Sequence, residues 1–498
     1  MVHSGRAAGF VLNPLVKTVL ADTETPVSVY LKLQDAYSCL LESVEGEEKL
    51  ARFSYIAIDP VAILEGSVDG NISLKVRDER FRGLEELVTG EKDLRKVIDL
   101  CLGAFGSSHR TESTVGSSPM ITSGAFGYFS YDTMHLVERI PSPRKPDPSA
   151  LPDVFLLFCD KLVVFDNIKH KVFIVVNYLD EDDRGRAEQT IEAIRGKMFQ
   201  PLDRERVQLK PEKHEDVVSN TFKKDYLDKV LVAKEHIRAG DIFQVQVSQR
   251  LERKLNTKPF DVYRMLRTIN PSPYLYYFDM GDFDIVGSSP ELLVKVSTDE
   301  KGRKIVDTRP IAGTRPRGKT YEEDALIEKD LLSDEKELAE HLMLIDLSRN
   351  DIGRIAKTGT VETNEMMIIE RYSHVMHIVS NVRGELRDNY TPMDAFWACF
   401  PAGTLTGAPK VRAMEIIYEL EEEKRGLYGG AVGFIDFREQ LETAIAIRTM
   451  VVRDGIIYFQ AAGGIVADSV PLNEYEETMN KMRAGLRTVE ALEVLGKS

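Results

Sequence analysis

The amino-acid sequence predicts an α+β fold with large antiparallel sheets. Strand-like runs follow one another as hairpins and meanders, and the regular βαβ alternation of doubly wound folds is not visible. At 498 residues the chain is long enough for two or three average domains, or for one large bilobed unit with a substantial core. These observations together favour a mixed fold over a doubly wound one.

Composition and charge disfavour several classes of function. The formal net charge of -15 argues against nucleic acid and anionic membranes as partners, because both are polyanions. The four cysteines are widely spaced and form no Cys-x-x-Cys motif, which is typical of a reduced, cytoplasmic protein and not of a disulfide framework or structural zinc site. No apolar run approaches the ~18 residues of a membrane span, and the N-terminus lacks the apolar stretch of a secretory signal. We therefore expect a cytoplasmic protein without a membrane partner.

Residues 1–200 are predicted to form an N-terminal lobe rich in short strands. β-branched and aromatic residues predict a strand over residues 27–33, and the segment 36–43 is interpreted as a helix. Three further apolar runs predict an antiparallel meander, at residues 154–159, 162–165 and 172–177.

Residues 217–498 are predicted to form a second domain, joined to the first by a polar, charged linker at 201–216. A helix over 222–239, ended by Gly240, precedes a strand over 242–248 that carries glutamines on one face. A polar strand face suits a ligand cavity, although a half-exposed sheet explains the same pattern more simply. The other elements predicted here are a helix at 260–269 and strands at 274–278, 285–288, 373–382, 431–436, 443–452 and 456–462.

Residues 334–351 predict a helix that brings two carboxylates to one place. Leu338, Leu342 and Ile345 recur at helical spacing and give the helix a core face. Glu337 and Glu340 are three residues apart, so they lie one turn apart on a shared face and can reach the same point.

A second predicted helix repeats this acidic spacing with Glu474 and Glu477. Two such helices could hold a hard divalent cation through oxygen ligands and leave positions for water and an anionic substrate. Each segment alone is more simply a solvated charged face, since Asp334 with Glu337 can cap a helix and Glu477 with Lys481 forms an ordinary i,i+4 pair. The metal hypothesis therefore needs support from elsewhere in the chain.

Arg448 lies in the middle of the predicted strand 443–452, where a buried guanidinium needs a carboxylate from the protein or from a ligand. The predicted turn at Ala462, Gly463 and Gly464 offers backbone amides without side-chain obstruction, which suits an anion. Arg448, these amides and a bound cation would together hold a small dicarboxylate.

Familiar cofactor motifs are not recognised. Residues 403–410 lack the Gly-Lys-Ser/Thr of a phosphate loop, and Gly429, Gly430 and Gly433 do not form the dinucleotide-binding fingerprint. His374 and His377 lie three apart in a strand and point to opposite faces, so they are poor co-ligands of one metal, although His377 could face a site.

Four sequence blocks occur in order within residues 220–486. They are Asp-Thr-Arg-Pro-Ile-Ala-Gly-Thr-Arg-Pro at 307–316, Glu-Leu-Ala-Glu-His-Leu-Met-Leu-Ile-Asp at 337–346, Pro-Ala-Gly-Thr-Leu-Thr-Gly-Ala-Pro-Lys at 401–410 and Glu-Thr-Met-Asn-Lys at 477–481. These blocks resemble the chorismate-utilising enzymes, which include anthranilate synthase component I, aminodeoxychorismate synthase component I, and the isochorismate and salicylate synthases. Leu-Leu-Glu-Ser at 40–43 and Gly-Tyr-Phe-Ser-Tyr-Asp-Thr-Met-His at 127–135 look like the N-terminal lobe of anthranilate synthase component I.

The resemblance implies a four-layer αββα fold with the active site between the main sheets, and Mg2+ as cofactor. Glu340 and Glu477 are implied to bind Mg2+ directly, with Glu337 and Glu474 supporting it through water. Glu291 is the implied general acid that protonates the departing ring hydroxyl, with His377 and Thr404 as further catalytic residues. The residues implied to line the substrate chorismate are Gly313, Thr314, Tyr428, Arg448, Ala462, Gly463, Gly464 and Lys481.

Two positions favour ammonia as the nucleophile and anthranilate as the product within this family. Ala312 stands where aminodeoxychorismate synthases often carry a lysine that attacks the ring, and Gln244 stands where isochorismate and salicylate synthases carry a lysine that activates water. No cysteine has a glutaminase-like Gly-x-Cys-x-Gly setting, so the resemblance implies a separate glutamine amidotransferase subunit, and hence a hetero-oligomer, or the use of free ammonium. Aminodeoxychorismate synthesis is the alternative activity, and a regulatory protein without turnover is the alternative class.

The resemblance also implies a feedback site for tryptophan between the two lobes. A plain proline-rich turn would explain residues 270–275 alone, but the presence of both halves favours the regulatory interpretation. The residues implied are Ser43, Asn270, Pro271, Pro273, Tyr274 and Leu275.

Overall fold

The computed structural model describes residues 9–43, 52–108, 112–113, 121–141, 145–202, 217–372 and 375–495. Within these ranges, no helix combines the length and apolar character needed to cross a membrane. Most of the predicted linker at 201–216 lies outside the described residues, and the division into domains at 1–200 and 217–498 stays a prediction.

The α-helices differ widely in length. They are α1 Pro26–Leu33, α2 Gly83–Val88, α3 Leu94–Gly103, α4 Glu181–Met198, α5 Lys223–Ala239, α6 Pro259–Ile269, α7 Tyr321–Leu331, α8 Glu335–Gly353, α9 Pro392–Cys399, α10 Lys410–Leu420 and α11 Pro471–Leu495. Short 3-10 helices occur at Glu79–Phe81, Tyr131–Leu136 and Gly403–Leu405.

The strands are distributed along the whole described chain. They are β1 Phe10–Val19, β2 Ser38–Glu42, β3 Phe53–Ala57, β4 Ala62–Gly66, β5 Ile72–Val76, β6 Phe105–Ser107, β7 Glu112–Ser113, β8 Gly124–Phe129, β9 Val154–Cys159, β10 Lys161–Asp166, β11 Lys171–Tyr178, β12 Val218–Ser219, β13 Gln244–Lys254, β14 Tyr274–Asp279, β15 Phe283–Ser289, β16 Leu292–Thr298, β17 Lys304–Thr308, β18 Ile311–Pro316, β19 Glu362–Arg371, β20 Val375–Glu385, β21 Gly407–Ala408, β22 Ala431–Asp436, β23 Leu441–Ile445, β24 Thr449–Arg453 and β25 Ile456–Ile465.

These strands form two large sheets, which confirms the predicted α+β class. A 14-stranded sheet has the order β12-β13-β25-β24-β15-β14-β2-β3-β10-β11-β1-β6, with β21 beside β13 and β7 beside β1. An 11-stranded sheet has the order β18-β20-β17-β16-β23-β22-β8-β9-β4-β5, with β19 beside β20. The pairs are antiparallel except those of β1 with β6 and β7. Both sheets combine strands from the N-terminal and C-terminal parts of the chain.

The apolar core shows a four-layer αββα arrangement. One cluster joins the inner faces of the two sheets, where the rings of Tyr55 and Phe434 lie 5.9 Å apart. A second cluster packs α3, α8 and α9 on the outer face of the 11-stranded sheet. A third packs α1, α4, α6 and α11 on the outer face of the 14-stranded sheet. Each sheet is therefore buried on both faces, and this burial is the main source of stability.

Two N-terminal predictions are wrong. Residues 27–33 belong to α1, because Thr25 and Ser28 form a capping box and Pro26 occupies the first helical turn. Residues 36–43 contain β2, which pairs with β3 and β14. Tertiary pairing outweighs local preference in the second case, since the segment is inserted between two strands.

The predicted pairing of residues 162–165 with 172–177 is confirmed by β10 and β11, but the first strand of the predicted meander lies in the other sheet. The predicted strand over 443–452 is wrong because it also changes sheet. β9 lies in the 11-stranded sheet, and the chain passes at Asp160 to the 14-stranded sheet that contains β10 and β11. The run 443–452 likewise divides into β23 and β24, which lie in different sheets on either side of Ala446–Arg448. Continuous apolar runs do not reveal such a change of sheet, because strands on both sides of it are fully buried.

Most other C-terminal elements are confirmed within a few residues. α5 ends at Gly240, whose φ of 82° is the left-handed conformation of a glycine C-cap. Asp334 caps α8 by accepting from the amides of Lys336 and Glu337. The core face of α8 is formed by His341, Leu344, Ile345 and Ile352. Leu342, which was predicted to lie on that face, is 42% exposed.

Candidate active site

The candidate site lies where two neighbouring strands leave one sheet for the other. β15 pairs with β24 in the 14-stranded sheet, and the strands joined to them, β16 and β23, pair in the 11-stranded sheet. Glu291 lies in the first connection and Arg448 in the second. The two residues therefore lie on adjacent connections between the sheets.

Arg448 has the features of a ligand-binding arginine. Its φ of 51° is unusual for a side-chain-bearing residue, and its carbonyl accepts from the amide of Ser288 at 3.1 Å. Its side chain is accessible, and within the described residues no carboxylate pairs with it. The surrounding protein still displaces enough water to lower the pKa of the guanidinium. Arg448 lines a cavity together with Asn270 and Lys481.

Glu291 is a buried carboxyl group that stays protonated near neutral pH. It is 6% exposed, and burial raises its pKa to about 8. The Thr404 hydroxyl, the Ile311 amide and the Lys481 ammonium act in the opposite direction. Thr404 Oγ1 is itself buried and has no hydrogen bond of normal geometry among the described residues. Both residues line the same cavity, so the acid and the Thr404 hydroxyl face the same space.

A bulge positions His377 opposite Thr314. The register between β18 and β20 shifts at Gly313, which has a φ of 63° that favours glycine. His377 Nδ1 lies 3.0 Å from Thr314 Oγ1 and 3.2 Å from the Gly313 carbonyl. Burial, with a smaller contribution from Arg448, lowers the pKa of His377. The imidazole is therefore neutral near pH 7 and can accept a proton.

Residues 462–464 are not the turn predicted from the sequence. They lie inside β25, where Ala462, Gly463 and Gly464 pair with β13. The two glycines allow close packing: a Cβ on Gly464 would lie 2.8 Å from Gln244 Nε2, and one on Gly463 would lie 3.1 Å from Glu474 Oε2. The backbone of Ala462 also contacts the side chains at two predicted substrate positions, Tyr428 and Lys481, with Lys481 Nζ 3.0 Å from its carbonyl oxygen.

The acidic pairs Glu337/Glu340 of α8 and Glu474/Glu477 of α11 lie near the paired strands β13 and β25. Gln244 Nε2 donates to Glu340 Oε1 at 3.0 Å, and Arg315 Nη1 donates to Glu337 at 3.3 Å. Burial and the neighbouring Glu340 raise the pKa of Glu337. The contact between Gln244 and Glu340 was not predicted; a glutamine on a polar strand face was the available signal.

On α11, Glu474 is 8% exposed, and its Oε2 has no hydrogen-bond partner in the described part of the chain. Burial and the neighbouring Glu477 raise the pKa of Glu474. Glu477 pairs with Lys481 at 2.7 Å, as the sequence suggested. Lys336 of α8 also acts on Glu474, which places the two helices near each other.

The chemistry of these side chains fits a hard divalent cation. Carboxylate oxygens are the ligands that Mg2+ prefers. The pKa values of Glu337 and Glu474 are raised in part by the neighbouring carboxylates of Glu340 and Glu477, so a cation that neutralises these charges would be bound favourably. Among the described residues, however, no three His, Cys, Asp or Glu side chains are grouped closely enough to hold one metal ion. Three of the four predicted ligands engage Arg315, Gln244 or Lys481 instead. The metal assignment stays a prediction.

The two predicted parts of the inhibitor site lie side by side. β2 and β14 pair with Glu42 opposite Leu275, which places Ser43 beside Tyr274 at the strand ends. Asn270 Nδ2 donates to Ser288 Oγ at 3.3 Å, and the Ser43 hydroxyl is buried without a partner among the described residues. Pro271 and Pro273 connect α6 to β14. Tryptophan binding at these residues stays a prediction.

Comparison with known proteins places this geometry in a family. A family model described as chorismate binding enzyme matches residues 80–487. The chain therefore belongs to the chorismate binding enzyme family.

Within that family, the chain is similar to anthranilate synthase component 1, as the sequence resemblance indicated. The protein of that name from Acetivibrio thermocellus is 46% identical over 497 residues, covering 97% of this chain and 96% of the relative. The one from Aquifex aeolicus is 45% identical over 493 residues, covering 96% and 95%. The crystal structure of anthranilate synthase component I from Streptococcus pneumoniae TIGR4 superposes with a TM-score of 0.73 at 36% identity, covering 94% of this chain and 98% of that one.

A more distant structure shares the fold alone. The menaquinone-specific isochorismate synthase from Escherichia coli superposes with a TM-score of 0.68 at 16% identity, covering 98% of this chain and 97% of that one. The fold with two large sheets is thus common to enzymes of different named activity, and the site must decide the reaction.

Proposed function

We propose that this chain is the large, ammonia-using subunit of an anthranilate synthase, a cytoplasmic enzyme of the first step of tryptophan biosynthesis. It would convert chorismate and ammonia to anthranilate and pyruvate. The observation that carries the proposal is the accessible Arg448 guanidinium, which has no carboxylate partner in the described structure. It lines a cavity with Lys481, whose ammonium also acts on the protonated Glu291 carboxyl. Near-complete coverage of relatives named anthranilate synthase component 1 supports the same conclusion.

The residues suggest a division of tasks. Arg448 would bind a chorismate carboxylate through its fork of donors, with Tyr428 and the β25 backbone beside the ring. Glu291 would donate its proton to the ring hydroxyl, which leaves as water while ammonia forms the new carbon–nitrogen bond at the carbon beside the carboxylate-bearing one. His377 would assist the later proton transfer as pyruvate leaves and the ring becomes aromatic. Thr404, beside Glu291, would keep the acid oriented.

Mg2+ would be held by Glu340 and Glu477, with Glu337 and Glu474 supporting it through water. When bound, the ion would neutralise the ring carboxylate of chorismate. The unpartnered Oε2 of Glu474 and the raised pKa of Glu337 support this donor set.

Ammonia would be supplied by a separate glutamine amidotransferase subunit, which makes the working enzyme a hetero-oligomer. Tryptophan would inhibit it by binding at Ser43 and at residues 270–275. The adjacent β2 and β14 strand ends support that location.

The direct test uses the purified chain with chorismate, MgCl2 and an ammonium salt at alkaline pH, where free ammonia is available. We expect anthranilate fluorescence and equimolar pyruvate, both removed by EDTA. Absence of both products would overturn the proposal. An amino product without anthranilate fluorescence and without pyruvate would identify aminodeoxychorismate synthesis instead. Adding glutamine without ammonium should give no product, since the chain is proposed to need a partner for glutamine.

A further inference from the structure

A buried ion pair beneath the cleft connects several parts of the chain. Arg425 and Glu421 are 4% and 7% exposed. Arg425 Nε and Nη2 donate to the two carboxylate oxygens of Glu421 at 2.9 and 2.7 Å. Nη1 donates to the Leu405 carbonyl at 2.7 Å, and Nη2 also donates to the Gln246 carbonyl at 2.8 Å. A planar guanidinium can serve these acceptors together, whereas a lysine ammonium cannot reproduce the fork.

Each connected segment carries a residue of the candidate site. Leu405 follows Thr404, whose hydroxyl faces Glu291. Gln246 lies on β13 opposite Gly464, and Glu421 also accepts from the Ser248 amide on that strand at 2.7 Å. Arg425 itself lies three residues before Tyr428, in the turn that precedes β22. One ion pair thus fixes the relative positions of three walls of the cleft.

The N-terminal segment 127–135, which the proposed reaction does not use, completes this arrangement. The Arg425 guanidinium lies 4.5 Å from the centre of the Tyr131 ring. The Tyr131 amide donates to the Gly426 carbonyl at 2.8 Å. Asp132 Oδ2 accepts from the Gly426 amide at 3.0 Å, and its Oδ1 accepts from the Tyr418 hydroxyl at 2.5 Å.

The same turn continues to the crossover that carries Arg448. The Gly429 amide donates to the Ala446 carbonyl at 3.0 Å, and the Ala446 amide donates to the Gly430 carbonyl at 2.9 Å. A Cβ on Gly430 would lie 2.2 Å from the Phe129 carbonyl oxygen, so only glycine fits between these backbones. The turn at 426–430 is therefore clamped between the end of β8 and the start of the Arg448 crossover.

Stability alone is a weak reason for burying this pair. Removing two charges from water costs much of what their attraction returns, and a buried pair often stabilises a fold no better than apolar side chains do. The distribution of the hydrogen bonds over backbone carbonyls of separate site segments points to geometry instead.

We propose that Glu421 and Arg425 are positioning residues for the reaction, and that Tyr131 and Asp132 of the N-terminal region hold them in place. They fix the turn of Tyr428 and the segment of Thr404 relative to the cleft, without touching substrate. The N-terminal region is thus a structural part of the active site as well as the proposed half of a feedback site. This inference deepens, and rests on, the proposed chorismate aminase activity.

The test compares Arg425→Lys with Arg253→Lys. Arg253 is a matched control, because it is also buried, lies on β13 and pairs with Glu493, away from the cleft. For Arg425→Lys we expect kcat for anthranilate to fall at least tenfold, with the KM for chorismate changed less than threefold, because Arg448 makes no contact with the ion pair. Amides of residues 403–406 and 426–430 should exchange with deuterium at least tenfold faster. Arg253→Lys should lower the unfolding midpoint but leave kcat and these amides unchanged.

Tyr131→Leu is a second variant in case Arg425→Lys does not fold, since it removes the ring and keeps every hydrogen bond of the ion pair. We expect at least a threefold loss of kcat and faster exchange in the same two segments. Unchanged kcat in a folded variant, or exchange that rises uniformly along the chain, would overturn the inference. The exchange measurement needs no turnover, so it tests the positioning role even if the wild-type chain makes no anthranilate. Absence of anthranilate would by itself contradict only the proposed function.

Discussion

Two crossovers, each a pair of direct strand-to-strand connections between the sheets, have the same topology and opposite chemistry. At the first, β3 and β10 pair in one sheet while β4 and β9 pair in the other. At the second, β15 and β24 pair in the 14-stranded sheet, while β16 and β23 pair in the 11-stranded sheet. Each crossover contains a residue with left-handed backbone, Asp59 at a φ of 45° and Arg448 at 51°. The two residues occupy opposite connections of their pairs, since Asp59 lies between β3 and β4 and Arg448 lies between β23 and β24.

The two crossovers differ in how their charges are satisfied. At the first, Asp160 is paired with Arg80 at 3.0 Å and with Lys161 at 2.9 Å, and Lys161 also reaches Asp59 at 3.1 Å. At the second, the described structure gives Arg448 no carboxylate, and Glu291 is buried as a neutral acid. Topology therefore supplies a place between the sheets, and an unsatisfied charge makes that place a site. We call them the paired crossover and the open crossover.

The largest expected effect is that of Glu291→Gln at the open crossover. A glutamine keeps the shape but has no acidic proton, so kcat should fall about 10³-fold, within the range for general acids. The check is steady-state anthranilate formation together with the unfolding midpoint. Activity within tenfold of wild type would remove Glu291 from the proton-transfer step.

Glu340→Gln should lower Mg2+-dependent activity about 100-fold, since an amide oxygen is a poorer ligand for a hard cation than a carboxylate. A titration of activity against MgCl2 measures the change, and the apparent affinity for Mg2+ should weaken. Glu335→Gln, an exposed acid in the first turn of the same helix, is the control and should leave the Mg2+ titration unchanged.

Arg448→Lys sharpens the contrast between the crossovers. It keeps the positive charge but loses the two-donor fork, so the KM for chorismate should rise about 30-fold, or about 2 kcal/mol. Arg80→Lys at the paired crossover should lower the unfolding midpoint without changing KM. Equal KM values for Arg448→Lys and the wild type would mean that another group binds the carboxylate.

The pH dependence tests whether Glu291 acts as an acid. Its pKa is raised to about 8, so the carboxyl is protonated below that pH and ionised above it. At a fixed concentration of free ammonia, kcat should therefore fall about tenfold for each pH unit above 8. The profile of Glu291→Gln should lack this alkaline limb. A wild-type kcat that stays constant up to pH 10 would contradict the assignment.

The smallest effect on activity is expected for Asp160→Asn at the paired crossover. Removing one partner of a buried charge pair should cost about 3 kcal/mol of unfolding free energy, because Arg80 and Lys161 each lose one of their carboxylate partners. Chemical denaturation measures this loss, and kcat should stay within twofold of wild type. A large loss of kcat in a fully folded Asp160→Asn variant would show that the two crossovers are not functionally distinct.

The sequence by itself determined the α+β class, most of the C-terminal elements and the family. Periodicity located α5, α6 and α8, because amphipathic helices and their caps are encoded within a few neighbouring residues. The acid pairs on α8 and α11 and the importance of Arg448 were also visible as residue types at particular spacings. The spacing Glu421-x-x-x-Arg425 was equally visible, but nothing local distinguished it from an ordinary surface pair.

Only the tertiary structure decided which strands share a sheet and which charges remain unpaired. The run 443–452 looks continuous, and only Asp160 and Lys161 separate the runs 154–159 and 162–165. Both stretches change sheet in the middle, and burial on both faces erases the alternation that would mark such a boundary. Residues 36–43 became a strand because β3 and β14 provided partners from far along the chain. Pairing between distant segments leaves no mark in local composition. This pairing gives Asp160 its cationic partners and connects Arg425 to separate segments of the site. It also leaves Arg448 without a carboxylate partner among the described residues.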